Sequence, residues 1–179
     1  MDPMTTTRAA AGAIALVAIA LGATGCSGDD PSDETTTSAA AEPWDPCTIS
    51  DEALVQAGLD PASEGPGLSA EAPGWKTCRW ESNDISVILG ASTTTGVDQF
   101  RDNPENIDFQ DVTVAGRQGF TYRDAQDDAG EFCWLTAPSQ GVGILNMQVT
   151  RSPFTKDDTT PMCEWAVKVG GALIAGSPR

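Results

Sequence analysis

Five cysteines, at positions 26, 47, 78, 133 and 163, constrain this chain more than any other feature of its sequence. An odd number in an exported protein requires a free thiol, an intermolecular bond or a modified residue. No two of them share the C-x-x-C spacing of a redox motif, so they read as structural. If one is set aside, four remain; in an oxidising compartment these default to two disulfides, with three pairings open.

Export itself is written in the first 25 residues. Arg8 precedes an apolar run from Ala9 to Ala20, small residues follow at 23 to 25, and the chain then turns polar. That order describes a secretory signal peptide. Taken on to Ala23, the run covers about 15 residues, whereas a helix needs about 20 to cross the hydrocarbon core. The stretch Leu21-Gly22-Ala23-Thr24-Gly25-Cys26 resembles the bacterial lipobox, whose cysteine receives a diacylglyceryl thioether and becomes the first residue of the mature chain. Leu21 lies two residues early, with Ala23 in its place, and a plain signal peptide cut near Ala23 is the weaker alternative. Lipidation of Cys26 also removes the odd cysteine. Asp2 does not suit a positive n-region, which leaves Met1 and Met4 as rival starts.

Three segments follow: a leader over 1–25, an acidic tether over 26–44, and a folded domain over 45–179. About 150 mature residues suffice for one domain with a real core. The tether is Asp, Glu, Thr, Ser, Ala and Pro with almost nothing apolar, so it cannot offset its chain entropy by burial. Its flexible span is roughly 25 Å. Thr35, Thr36, Thr37 and Ser38 offer glycosylation sites, although a plain linker explains them as well.

Charge and composition exclude several functions. There are 26 acidic against 10 basic side chains, a net charge of −16, which argues against nucleic acid and against electrostatic docking on anionic lipid. Histidine is absent, so a Ser/His/Asp triad, a Cys/His dyad and a His-bearing zinc site are all excluded.

Within the domain, Ser50 reads as the N-cap of a two-turn helix that ends at Gly58, with Ile49 and Leu59 closing on Leu54. Residues 60–74 read as loop. Strands are expected over 77–82, with Cys78 and Trp80 on one face, and over 85–91. Thr95 is expected to cap a short helix through Phe100. Strands follow around Val112 to Val114, from Gly119 to Arg123 after a turn at Ala115-Gly116, from Glu131 to Thr136, and through Leu145, Met147 and Val149. A last helix is expected with Thr160 as cap and Pro161 at N1, its face set by Met162, Trp165, Val169 and Leu173. Gly170-Gly171 within it predicts close approach to the sheet. The order gives an α+β fold, with a mostly antiparallel sheet of five or six strands and terminal helices packed on it.

Chemistry-bearing motifs are scarce. Asp124, Asp127, Asp128 and Glu131 lack the spacing of a calcium loop and read as a solvated hairpin tip. Gly141-Val142-Gly143 lacks the rest of a dinucleotide fingerprint and reads as relief of crowding at a strand start. No metal site, cofactor or catalytic residue is indicated. Trp80, Trp134 and Trp165 lie beside cysteines and read as core packing against disulfides. Trp44 and Trp75, in tether and loop, are candidates for a partner surface or for cover at the edge of the core.

Asp45-Pro46-Cys47, Gly58-Leu59, Cys78-Arg79-Trp80, the valine strand turning at Gly116, Cys133, and Cys163 leading the final helix together resemble a family of actinobacterial lipoproteins of unknown function. A fainter likeness, in cysteine layout alone, is to extracellular sensor domains of mycobacterial membrane kinases. The resemblance implies a cell-envelope lipoprotein domain with paired cysteines and carries over no catalytic residue. Of the three pairings, Cys47 with Cys78 and Cys133 with Cys163 is favoured, because each ties a terminal helix to a strand. The expected protein is a non-catalytic module on the outer face of the plasma membrane, held by its lipid and binding an envelope protein, a lipid or a small ligand. The alternative is a carboxylate-based hydrolase of cell-wall polymer.

Overall fold

The computed structural model describes residues 42–67, 72–139, 143–155 and 158–178. The leader over 1–25, Cys26, the tether up to residue 41, and Gly141 and Val142 lie outside the described residues. The described chain runs through a 3₁₀ turn at Pro46–Thr48, then α1 (Asp51–Ala57), β1 (Asp60–Pro66), β2 (Trp75–Glu81), β3 (Ile85–Ser92), α2 (Val97–Arg101), β4 (Asn106–Val114), β5 (Arg117–Asp124), β6 (Phe132–Pro138), β7 (Ile144–Arg151) and α3 (Met162–Gly176). All seven strands form one antiparallel sheet in the order β1-β2-β3-β7-β6-β5-β4. The fold is therefore α+β, with the N- and C-terminal helices on the sheet and two disulfides.

Alternation along the strands assigns one face to the core. Cys78 and Trp80 of β2, Val87 and Leu89 of β3, Met147 and Val149 of β7 and Cys133 and Leu135 of β6 face α1 and α3 and are wholly buried. Helix α1 begins where the Ser50 hydroxyl accepts from the Ala53 amide at 3.3 Å. It ends in a Schellman arrangement, in which Gly58 adopts φ +79° and the Leu59 amide donates to the Leu54 carbonyl. Helix α3 lays Met162, Ala166, Val169 and Leu173 into the core. Gly170 faces β6 so closely that a Cβ there would overlap the Leu135 side chain, whereas a Cβ on Gly171 would meet nothing within 4 Å. Close approach thus rests on the first glycine alone.

The disulfides join Cys47 to Cys78 and Cys133 to Cys163, with sequence separations of 31 and 30. They fasten the segment before α1 to β2, and α3 to β6.

Several local expectations are corrected. The sheet has seven strands because β1 occupies part of the stretch read as loop. Its sequence, Asp-Pro-Ala-Ser-Glu-Gly-Pro, has no apolar alternation, since this edge strand buries neither face. Its register slips between Asp60 and Gly65, where the Ser63 hydroxyl accepts from the Glu81 amide at 2.8 Å in place of a regular ladder bond. Thr95 does not cap α2. The Ser92 hydroxyl accepts from the Thr95 amide at 3.2 Å and donates to the Thr95 hydroxyl at 3.1 Å, leaving Gly96 at the N-cap without a side-chain bond.

Helix α3 starts one residue late, with Pro161 rather than Thr160 at its N-cap. The peptide groups of Thr160 are already engaged: its amide donates to Asp158 at 2.7 Å and its carbonyl accepts from Arg151 at 2.7 Å. Bonding from Thr160 is the main cause holding the Asp158 carboxyl below the usual carboxylate range. The second Asp158 oxygen accepts from the Trp165 indole at 2.8 Å, so Trp165 is half-buried at the helix start rather than in the core. At the other end, Arg117 donates to the carbonyls of Ile174, Ser177 and Pro178 at 3.4, 3.2 and 2.7 Å. It brings a cation to the negative end of the helix dipole.

Candidate functional site

Among the described residues, the second face of the sheet carries no long helix. The chain leaves β3 near mid-sheet and must cross β7, β6 and β5 to reach the far edge at β4. Five-residue α2 lies on that route and is the only helix on this face among the described residues. Where α2 contacts β4 and β6, the outward-phase residues Phe120, Tyr122 and Thr136 are buried rather than open to bulk solvent.

Cross-strand register arranges them in rows. Thr77, Gly90, Asn146 and Thr136 are partners in sequence across β2, β3, β7 and β6, and Ile88, Gln148 and Trp134 form the next row. Between these rows lies a pocket of about 240 Å³ lined by Ala72, Trp75, Thr77, Ile88, Gly90, Phe100, Trp134, Asn146 and Gln148. None of these residues is ionisable, in a chain of net charge −16. Gly90 shapes the wall, because a Cβ there would stand 3.0 Å from Cε3 and Cζ3 of the Trp75 indole. Its missing side chain lets the indole lie across the strand.

An aromatic patch continues from the pocket. Trp134 stacks on Tyr122 with ring centroids 5.7 Å apart and planes 17° from parallel, and Phe109 stacks on Tyr122 at the same separation. Phe100 of α2 sits 5.9 Å from Tyr122, and the Arg101 guanidinium lies 4.2 Å above the Phe120 ring while pairing with Asp111 at 2.6 Å. These contacts hold α2 down.

Beneath the rings, the Asn146 amide donates to the Tyr122 hydroxyl at 3.0 Å and to Thr136 Oγ1 at 2.8 Å. Both amide hydrogens are then spent, and the amide oxygen is left to accept. Burial pushes the Tyr122 phenol up to about 12, outweighing the hydrogen bonds from Asn146 and Thr136 that favour its ionised form.

The residues singled out in the sequence are dispersed. Trp75 begins β2 rather than lying in a loop, and it lines the pocket. Trp44 is half-buried against the core on the helix side, so the two tryptophans do not form one surface. Trp80 is buried on the face of Cys78 as expected, but Trp134 is not a core residue. Alternation sends it to the face opposite its neighbour Cys133.

The acidic cluster is not simply solvated. Asp127 is buried and accepts from the amides of Glu131 and Phe132 at 3.0 and 2.9 Å, while Asp124 accepts from the Gln126 amide at 2.8 Å. These carboxylates organise the hairpin. Gly143, at φ +119°, would bring a Cβ onto the Ser92 carbonyl, so crowding before β7 requires glycine there.

Two other clefts have different chemistry. A cleft of about 700 Å³ near α3 contains Arg123 and Arg151, but Arg123 is tied to Asp108 and to the Asp127 carbonyl, and Arg151 to the carbonyls of Asp158 and Thr160. The cleft at Asp60 and Glu81 holds two acids, of which Glu81 pairs with Arg79 and Asp60 accepts from the Ala62 amide. Among the described residues, Cys47, Glu64 and Cys78 come together with metal-like spacing, but both sulfurs are spent in a disulfide.

The pocket residues were hidden by their phase. Ile88, Asn146 and Gln148 occupy the strand positions that alternation assigns to solvent, and Phe109 follows a bulge at Asp108, whose φ is +55°. The available signal was the aromatic run Phe120, Tyr122 and Trp134 in that outward phase.

Compared with known proteins, residues 21–175 match the model of the family described as "Protein of unknown function (DUF3558)". No curated protein and no solved structure matches the chain.

Proposed function

This chain belongs to the DUF3558 family of proteins of unknown function, and we propose that it is a lipid-anchored, non-catalytic binding module of the cell envelope whose ligand is taken on the open face of the sheet. The observation that carries this reading is the pocket between Trp75 and Trp134. It is concave, largely apolar, furnished with a few fixed polar groups and free of ionisable side chains, which is how small-ligand sites are built. The carboxylate hydrolase is less well supported, because such an enzyme needs two carboxyl groups facing each other across a cleft. The pocket has none, and the acids of the other clefts are engaged in pairs or turns.

The envelope location is supported by two disulfides, which suit an oxidising, extracytoplasmic compartment. It is also supported by the sequence before Cys26. No helix among the described residues is long and apolar enough to cross a membrane. In this reading the diacylglyceryl group on Cys26 holds the protein to the outer face of the plasma membrane.

Native mass spectrometry of the full chain carrying Cys26→Ser, recovered from its secreting host, tests the binding reading. A retained small molecule that is lost in Trp134→Ala is expected. A bare mass, together with Trp75 and Trp134 equally open to oxidative footprinting in the envelope and in isolation, would count against it. Mass analysis of the membrane fraction tests the anchor, where a soluble mature form starting elsewhere than Cys26 would remove it.

A further inference from the structure

We propose that the pocket ligand is an uncharged sugar residue, one pyranose ring of a neutral glycan; this rests on the open face being a binding site. The lining combines the aromatic side chains of Trp75, Trp134 and Phe100 with the side-chain amides of Asn146 and Gln148. A pyranose has the matching character, with C–H bonds on its ring faces and hydroxyls around its rim. Indoles offer broad amphipathic contact area at small entropic cost, and amides supply donors and acceptors at the edge.

Asn146 is poised for this use. Its two N–H bonds are fixed on Tyr122 and Thr136, so its orientation is set and its oxygen can accept from a hydroxyl. A hydroxylated ring satisfies that oxygen, whereas an alkyl chain would leave it dry and unpaired.

Charge and size narrow the class further. A net charge of −16 disfavours an anionic ligand, and no carboxylate in the lining selects a cationic one. At ~30 Å³ per water, 240 Å³ holds about eight waters, less than the ~300–1,000 Å³ of sites for drug-sized molecules. One ring fits. The open face lets the rest of a glycan leave along the aromatic patch.

Gly90 supplies a variant that alters the pocket without touching its hydrogen bonds. Gly90→Ala would place a methyl group against the Trp75 indole and lift it from the strand.

The test is isothermal titration and indole fluorescence on the full chain carrying Cys26→Ser. The probes are the β-1,4-linked tetrasaccharides of glucose and of N-acetylglucosamine, a galacturonate tetramer, and cyclohexanol as an apolar ring without a hydroxyl array. At least one neutral tetrasaccharide should bind and change the indole emission. Trp75→Ala, Trp134→Ala and Gly90→Ala should each weaken it by roughly tenfold or more, with Trp134→Phe recovering part of the loss. The galacturonate tetramer should bind at least about tenfold more weakly.

Saturation by cyclohexanol without binding of either neutral sugar would overturn the sugar assignment and leave the pocket a ligand site. Equal sugar binding by parent and variants would overturn the assignment to this pocket. If neither probe class binds and native mass spectrometry finds a bare chain, both readings fall.

Discussion

The Asn146 amide donates to the hydroxyl of Tyr122 at 3.0 Å, inside a cluster of four aromatic rings in which Tyr122 stacks on Phe109 and Trp134 and Phe100 lies tilted against it. Tyr122 is the only tyrosine in the chain. Spectrophotometric titration of the native protein therefore reports this one phenol, and its midpoint should lie near 12 rather than at the ordinary 10.0. The folded-state value is raised, so the stabilisation is complete below pH 10 and is lost as pH rises through about 12. Over that window unfolding free energy should fall by about 1.4 kcal/mol per pH unit at most. In Tyr122→Phe this component of the alkaline decline should vanish.

The two adjacent glycines of α3 should respond to alanine with opposite signs. Gly170→Ala forces a methyl group into Leu135 and should cost about 1–3 kcal/mol as overpacking, even after the gain in helix propensity. Gly171→Ala meets open space and should stabilise by roughly 0.5–1 kcal/mol. Urea midpoints of the two variants against the parent check this pair, and a shift in the same direction would contradict the geometry.

Arg117 closes the last turn of α3 by donating to three carbonyls there and to that of Pro138. Arg117→Ala should lower stability by about 1–3 kcal/mol, the range for hydrogen bonds to a charged group. Arg117→Lys should recover only part, because a single ammonium does not reproduce a planar fork. Hydrogen exchange at Leu173 to Ser177 should rise first.

Each disulfide closes a loop of about 30 residues, which on the chain-entropy model contributes about 3.5 kcal/mol. The Cys133→Ala/Cys163→Ala chain should therefore lose a similar amount in denaturant melts. Peptide mapping without reductant should recover Cys47 joined to Cys78. A fragment linking Cys47 to Cys163 would contradict the arrangement of α1 and α3.

Where burial is one-sided, the sequence was readable. Ser50, Leu54 and Gly58 announce α1 and its ends, and the alternation of Val87 and Leu89 or of Met147 and Val149 announces strands, because local geometry and the core demand the same residues. It was unreadable at β1, where an exposed edge makes no demand on side chains, and at Thr95 and Thr160, where Ser92 and Asp158 compete for the same backbone groups. The candidate site was the least legible part. Local sequence puts Trp75 in a loop and Trp134 in the core, and nothing local distinguishes Asn146 or Gln148 from solvent-facing strand residues. Only the crossover that carries α2 over β7, β6 and β5 makes their face a place of contact.

The strands that form the pocket are the same ones that the disulfides hold. Thr77 and Trp134 line the cavity, and their neighbours Cys78 and Cys133 face the other way into the two cross-links. Two walls of the site are thus one peptide unit from a covalent tie to the helical layer. In the proposed binding role, a ligand arriving there would find side chains with little motional freedom left to surrender, and association would be spared much of the ordering cost that usually opposes it. In that role, affinity for the ligand and oxidation of the cysteines would be linked quantities, and a reductant would loosen the grip of the open face from behind.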